Sequence, residues 1–587
     1  MHSRMRFTSK LLLPFISALA LLIAACGGGG AGTAAPQAAH TKAPANKQVL
    51  VTVVASGAVP DFDTLDPAVV TDFDSAYAIG TIFTGLVGLD DHMQIVGQEA
   101  QSWDRSSDGL TYTFHLRPNM KFSDGTPLTA QDIAWSIDRA LSPEMKSPVA
   151  PYYLRYIKDS DKRNSGAVKS LIGDSLIVTD PNTLQIMLNK PIAFFLDTLT
   201  YPCSDTVEKS LIDKYGTKWT DHLTEGGGNG PFKVKKYTHN ITFNVVPNPN
   251  FYGPKPQLQE VDMPFYKVQD TTYKDYQVNR LDDATVPIAD FDSVKTHKDF
   301  FQFPILAINY YTMNYKQKPF DNIHIRQAFD LAINKDLIVK NIWKGTYIAT
   351  NHIVPQGQYG YNPDLTAPDG NKSTAGDPAK AKQLLQQGLQ EEGYSSVSQL
   401  PQITLTYSSA GNQAVKNEAA AEQQMWQTVL GVNVKLNDID LNRIFNYESE
   451  GANNPLMFYS GPAWLADYPD PEDWTTLQFD KGAAQNGMNF GQNNGSTAAQ
   501  QQALQQQMEQ ADLMTDPNAR LKAYNQIEQQ LVNFVAWMPV SQQTAFGVRK
   551  PCVQNFFQNS LLGTSPEDWS KIYISTDTPC ANATVSP

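Results

Sequence analysis

The residues best placed to do chemistry lie between Phe458 and Trp474, in FYSGPAWLADYPDPEDW. Asp467, Asp470 and Asp473 recur at three-residue intervals. Paired carboxylates of this kind serve glycoside hydrolysis. Three acids in a Pro-rich turn read more simply as a solvated loop, and nothing else in the chain supports hydrolysis. Pro469 and Pro471 pin the backbone in an extended or turn path. What remains is a fixed Trp464 with the carboxylate of Asp467 beside it, an arrangement for holding something.

Other motifs lead nowhere chemical. Gly173-Asp174-Ser175-Leu176 spells a hydrolase motif, and Asp321 to His324 gives a D-x-x-H. Both are internal, and LIGDSLIVTDPNTLQIML reads as two strands around a turn. TEGGGNGPF (224–232) lacks the Gly-Lys-Ser/Thr of a phosphate loop and reads as a turn entering a strand at Phe232. The 9 His residues show no HExxH or paired spacing, and no Cys pair has CxxC spacing, so no metal or cofactor is expected.

The positioning elements are mixed α and β. QVLVTVVAS (48–56) is a buried-strand run. TYTFHLR (111–117) alternates Tyr112, Phe114 and Leu116 against polar neighbours. Thr129 with Asp132 forms a capping box ahead of Ile133, Ile137 and Leu141 on one helical face. Asp377-Pro378 opens a helix with Ala381, Leu384 and Leu385 inward. Asp516-Pro517 opens another with Leu521, Tyr524 and Leu531 inward. The Gln-rich run 499–510 has helix-forming composition.

The chain has 587 residues, enough for two or three lobes. Its net charge of −13 argues against nucleic-acid binding. Arg4, Arg6 and Lys10 precede an apolar run ending at Ala25, the layout of a secretory signal. Ile23-Ala24-Ala25-Cys26 resembles a bacterial lipobox, which implies cleavage after residue 25 and lipidation of Cys26. Residues 26–47 read as a flexible tether. An extracytoplasmic site allows a disulfide. Cys552 and Cys580 are the candidate pair, leaving Cys203 as a buried thiol.

Several longer blocks occur in one order. They are LDPAVVTDFDSAYAIGTIFTGLVGLD (65–90), the block from Ala100 to Leu141 containing DGLTYTFHLR and FSDGTPLTA, GNGPFKVKKY (228–237), NPNFYGPKP (248–256), MNYKQKPFDNIHIRQAFDLAINKDLIV (313–339), LADYPDP (465–471) and RLKAYNQIEQQL (520–531). Together they resemble the solute-binding proteins of ABC importers, in the class that includes oligopeptide- and dipeptide-binding proteins, over the whole chain from about residue 48. The resemblance implies an α/β fold of the two-lobed, type II periplasmic-binding-protein kind, with an extra third domain and a hinge-closing cleft. Domain one would comprise 48–84, 204–303 and 534–587, domain two 85–203, and domain three 304–533. It also implies a monomeric, lipid-anchored receptor rather than an enzyme, delivering oligopeptides to ABC permease subunits.

In peptide-binding members an Asp in an A-D-Y context takes the ligand's α-ammonium, and Asp467 is the matching position. Trp464 would wall the first side-chain pocket. Gly461, Ala463 and Leu465 would let a ligand strand approach the backbone. Thr71, Asp72 and Phe73 would face them from the other lobe, and Tyr310 and Tyr311 match a paired-aromatic segment near the cleft. SPVAPYYL (147–154) resembles a cleft-lining stretch in which Tyr152 or Tyr153 replaces the usual Tyr. No cationic residue for a ligand's carboxylate is legible. Oligosaccharide or other-solute binding, and a sensor lipoprotein without transport, remain alternative expectations.

Overall fold

A computed structural model describes residues 40–54, 59–461, 463–483 and 485–586. The signal segment, Cys26 and most of the expected tether lie outside the described residues. The described residues from Thr41 onward form one compact unit.

Strand Thr111–Leu116 buries Tyr112, Phe114 and Leu116, as its alternation requires. It pairs antiparallel with Ala100–Arg105 on one side and Thr183–Met187 on the other, and Leu176–Asp180 completes a four-stranded sheet. Helix Ala130–Ala140 covers this sheet. Its capping box is formed, with the Thr129 N–H donating to Asp132 at 2.8 Å, and Ile133, Ile137 and Leu141 are buried. Ser175 is buried at the mouth of the 176–187 hairpin, and among the described residues its hydroxyl donates to the neighbouring Asp174, at 3.2 Å, with no His in reach of it.

A second sheet orders Val49–Val51, Glu260–Pro264, Thr242–Pro247 and Phe232–Thr238. The 48–56 run yields a strand only from Val49 to Val51, and the Val51 N–H is taken by the Asp282 carboxylate at 2.9 Å. The glycines before Phe232 serve close packing. A Cβ on Gly228 would meet the Ile82 carbonyl oxygen at 2.3 Å, and one on Gly230 the Ile82 carbonyl carbon at 2.7 Å.

The third sheet is built on two long antiparallel strands, Phe300–Met313 and Met538–Arg549. At one end Asp283–Thr285 joins them; at the other Phe458–Ser460, Thr404–Tyr407 and Lys435–Asp438 extend the sheet. This ribbon runs from the apolar cluster holding Val49, Ala284 and Val548 into the cluster holding Tyr311, Phe329, Trp426 and Val540. Its register shifts between Pro304 and Ile308 and again between Asn309 and Tyr310.

Helices Pro378–Glu391 and Pro517–Phe534 start where the Asp-Pro pairs indicate, each capped by its Asp side chain. Leu521 is only half-buried, while Tyr524 and Leu531 are fully inward. The Gln-rich run forms helix Ala498–Asp512, and buried Gln501 and Gln505 donate to or accept from the loop at 479–493.

One expectation is corrected here. Residues 41–47, assigned to the flexible tether, are docked on the C-terminal segment. The Ala43 N–H donates to Ile574 O at 2.9 Å, the Thr576 N–H donates to Thr41 O at 2.8 Å, and the side chain of Gln48 brackets Ile574. Small, polar composition alone does not distinguish a free segment from one whose backbone pairs elsewhere. The Cys552–Cys580 disulfide is formed and buried beside this contact, with the Ser575 N–H donating to Cys552 O at 2.7 Å, and Cys203 is a buried free thiol. Closing a loop of this size stabilises a fold by about 3.5 kcal/mol. Replacing both Cys552 and Cys580 with Ala should lower urea resistance by that order, and an unchanged unfolding midpoint would refute the role.

Candidate ligand-binding site

The opening segment is fixed from below before it meets any ligand. Trp464–Leu465 pairs antiparallel with Ala307–Ile308, and the Ala466 N–H donates to Leu306 O at 2.8 Å. The chain then turns, and Asp470 caps the short turn Pro471–Trp474 through the Glu472 N–H at 2.9 Å. The acids that follow are not solvated, contrary to expectation: Asp470 is 4% exposed, and Glu472 and Asp473 are 0% exposed. Each has a structural partner. Asp470 accepts both arms of the Arg520 guanidinium, at 2.6 and 2.7 Å. Glu472 accepts from the Tyr468 hydroxyl and from Arg155 at 3.3 Å. Asp473 accepts the Trp464 indole N–H at 3.0 Å and the Asp467 backbone N–H at 3.4 Å. The carboxylate beneath thus sets the position of both the Trp ring and the Asp467 backbone.

Above this base lies a cavity of about 550 Å³. Gly461, Ala463, Trp464, Leu465 and Asp467 line one side, Thr71, Asp72 and Phe73 line it from elsewhere in the chain, and Tyr310 contributes a ring. Asp72 also caps helix Phe73–Ile82, accepting the Ser75 N–H at 2.8 Å. Tyr310 stacks on Trp537 with ring centroids 3.6 Å apart. Tyr311 is corrected: it lies in the apolar core, 5% exposed, with its hydroxyl toward buried Glu418. Consecutive strand residues point to opposite faces, so only one of the two tyrosines can reach the cavity. From SPVAPYYL, Tyr153 reaches the site. Its hydroxyl hydrogen-bonds Asp467, and its ring stacks on Tyr201 at 3.8 Å, whose own hydroxyl donates to Val70 O at 3.2 Å.

The electrostatics are one-sided. Burial pushes the Asp467 carboxyl up to about 7; the Tyr153 hydrogen bond opposes this, and Glu472 adds to it. Glu448, at the end of helix Leu441–Glu448, is also raised to about 7 by burial, partly relieved by Tyr459. Asp205 is raised well above the ordinary carboxylate range by burial. Asp72, Asp205, Glu448 and Asp467 all line the cavity, and among the described residues no Lys, Arg or His does. Asp205, Glu448 and the exposed ring of Phe445 were missed in the sequence, where they stand in segments without motif or periodicity.

A family model, bacterial extracellular solute-binding proteins, family 5 Middle, matches residues 94–486. The chain belongs to this family. Family 5 members bind solutes and are not enzymes. Among relatives, the oligopeptide-binding protein OppA of Bacillus subtilis is 29% identical over 478 residues, covering 79% of this chain and 83% of that one. The dipeptide-binding protein DppE of Bacillus subtilis is 29% identical over 488 residues, covering 81% and 84%. The structure of the Escherichia coli murein tripeptide binding protein MppA aligns with a TM-score of 0.70 at 25% identity, over 90% of this chain and 99% of that one. This family 5 chain therefore has the two-lobed type II fold of mixed α/β content.

The buried base makes a stability prediction. Arg520→Met leaves Asp470 enclosed without its partner, which should cost about 3–5 kcal/mol. Pairing it with Asp470→Leu should recover much of that loss. Urea unfolding of the two variants checks this, and equal stability of the single variant and wild type would refute the pair's role.

Proposed function

We propose that this protein is the lipid-anchored receptor of an ABC importer and that it captures oligopeptides in the cavity above the 464–474 segment. The observation that carries this is the enclosed Asp467 carboxyl in a wall that offers acids and no bases. A peptide's α-ammonium is the complementary group, and a buried charge of either sign needs such a partner. Gly461 has open space where a Cβ would stand, so a ligand backbone can approach this edge. Main-chain pairing then gives affinity with little sequence preference. The names of the relatives, which bind oligopeptides and dipeptides, support the same reading.

The rest of the proposal follows the sequence expectations. Lipidated Cys26 holds a monomer to the membrane. Domain one (48–84, 204–303 and 534–587) and domain three (304–533) close on the ligand about the ribbon, with domain two (85–203) beside them. Permease subunits receive the peptide, and the ATPase of the transporter supplies the energy.

Asp467→Asn should weaken binding of free-amine peptides by a few kcal/mol, about 2–5. N-acetylated peptides should bind wild type as poorly. Calorimetric titration checks both, and unchanged affinity in each would remove Asp467 from the role. The pH dependence has a definite sign. In the ligand-free protein the Asp467 carboxyl is protonated below about 7, and an ammonium ion must displace that proton. Affinity should rise with pH up to about 7, with proton uptake by buffer on the acid side, and fall again above about 8, where the peptide's own α-ammonium loses its proton. A flat profile between pH 5 and about 8 would contradict this.

A further inference from the structure

Asp205 is the unexplained group in the cavity. It follows the turn Pro202–Ser204, which fixes its backbone through the Asp205 N–H to Pro202 O bond at 2.9 Å. The carboxyl is surrounded by protein, and its accessible face opens on the cavity. Gly85 packs against its inner edge, where a Cβ would come within 3.1 Å of Oδ1. Among the described residues no side chain or backbone group donates a hydrogen bond to it, and no cation pairs with it. The other lining acids are better provided for. Asp72 caps a helix, Glu448 shares a hydrogen bond with Tyr459, and Asp467 has Tyr153. Cys203 and Glu99, whose protons the Asp205 charge helps to hold, do not pair with it. Both are buried, and Glu99 already accepts from Thr206 at 2.9 Å and Asn229 at 2.5 Å.

A lone enclosed carboxyl costs free energy unless something arrives to pair with it. Tyr201 and Pro202 continue the cavity wall from the Tyr153–Asp467 contact to Asp205, giving an apolar surface for a methylene stem. We propose that Asp205 is a second cation site, which takes the basic side chain of a bound peptide while Asp467 takes its α-ammonium. The receptor therefore selects peptides carrying a lysine-like or arginine-like residue. This rests on the peptide reading above and adds a charge preference to it.

The test is calorimetric titration of the protein with alanine tetrapeptides carrying Lys at the second, third or fourth position, each matched with its norleucine counterpart. One Lys peptide should bind at least about tenfold tighter than its norleucine match. Asp205→Asn should abolish that difference, bringing the Lys peptide to the affinity of its norleucine match. Equal binding of Lys and norleucine peptides to wild type at every position overturns the second site while the peptide reading stands, and needs no variant. A preference that survives in a folded Asp205→Asn overturns the assignment to Asp205. Failure of every peptide to bind overturns the peptide reading and this inference with it.

Discussion

Carboxylates taken out of water within one short turn are the constraint around which the site is organised. Asp470, Glu472 and Asp473 sit beneath Asp467 with almost no exposure, and unpaired they would unfold the segment. Arg520 and Arg155 answer two of them, and the indole of Trp464 and the Asp467 N–H answer the third. The two arginines come from distant parts of the chain. Arg520 stands on helix Pro517–Phe534, and Arg155 lies in the stretch that also supplies Tyr153. The charge balance therefore ties two remote regions of the chain to one turn. Arg155 lies over the Tyr156 ring at 4.8 Å, Tyr468 stacks on Phe194, and Arg520 lies over the same Phe194 ring.

The ribbon of Phe300–Met313 and Met538–Arg549 sets where this turn can stand. Pairing lapses between Pro304 and Ile308, and Gln542 fills the gap by donating to Ile305 O at 2.9 Å and Gln356 O at 2.8 Å. Ala307 and Ile308, next to that gap, are the residues that hold Trp464–Leu465. The bend in the ribbon and the floor of the cavity are thus one structural unit, so any change in the bend alters the position of Trp464. Bulged pairing concentrates twist and re-aims side chains in this way.

Much of the scaffold was legible because its signals are local. The Thr129–Asp132 box, the Asp-Pro helix starts at 377 and 516, and the alternation at 111–117 each depend on neighbours a few residues apart. Trp464 and Asp467 were legible through the A-D-Y context. The burial of Asp470, Glu472 and Asp473 was not, because it is decided by Arg520 and Arg155, which are remote in sequence. Tyr311 was misassigned because strand direction, not residue type, decides which of two adjacent tyrosines faces the cavity. Asp205 and Glu448 carry no pattern of their own; only the three-dimensional wall gathers them.

The docking of residues 41–47 on the segment around Ile574 has a mechanical meaning. A pull on the chain ahead of Thr41 does not reach the ribbon directly. It is borne by hydrogen bonds to Ile574 and Thr576 and by the Cys552–Cys580 crosslink beside them. The sheet of Val49–Val51 and its neighbours follows this docked segment directly in the chain.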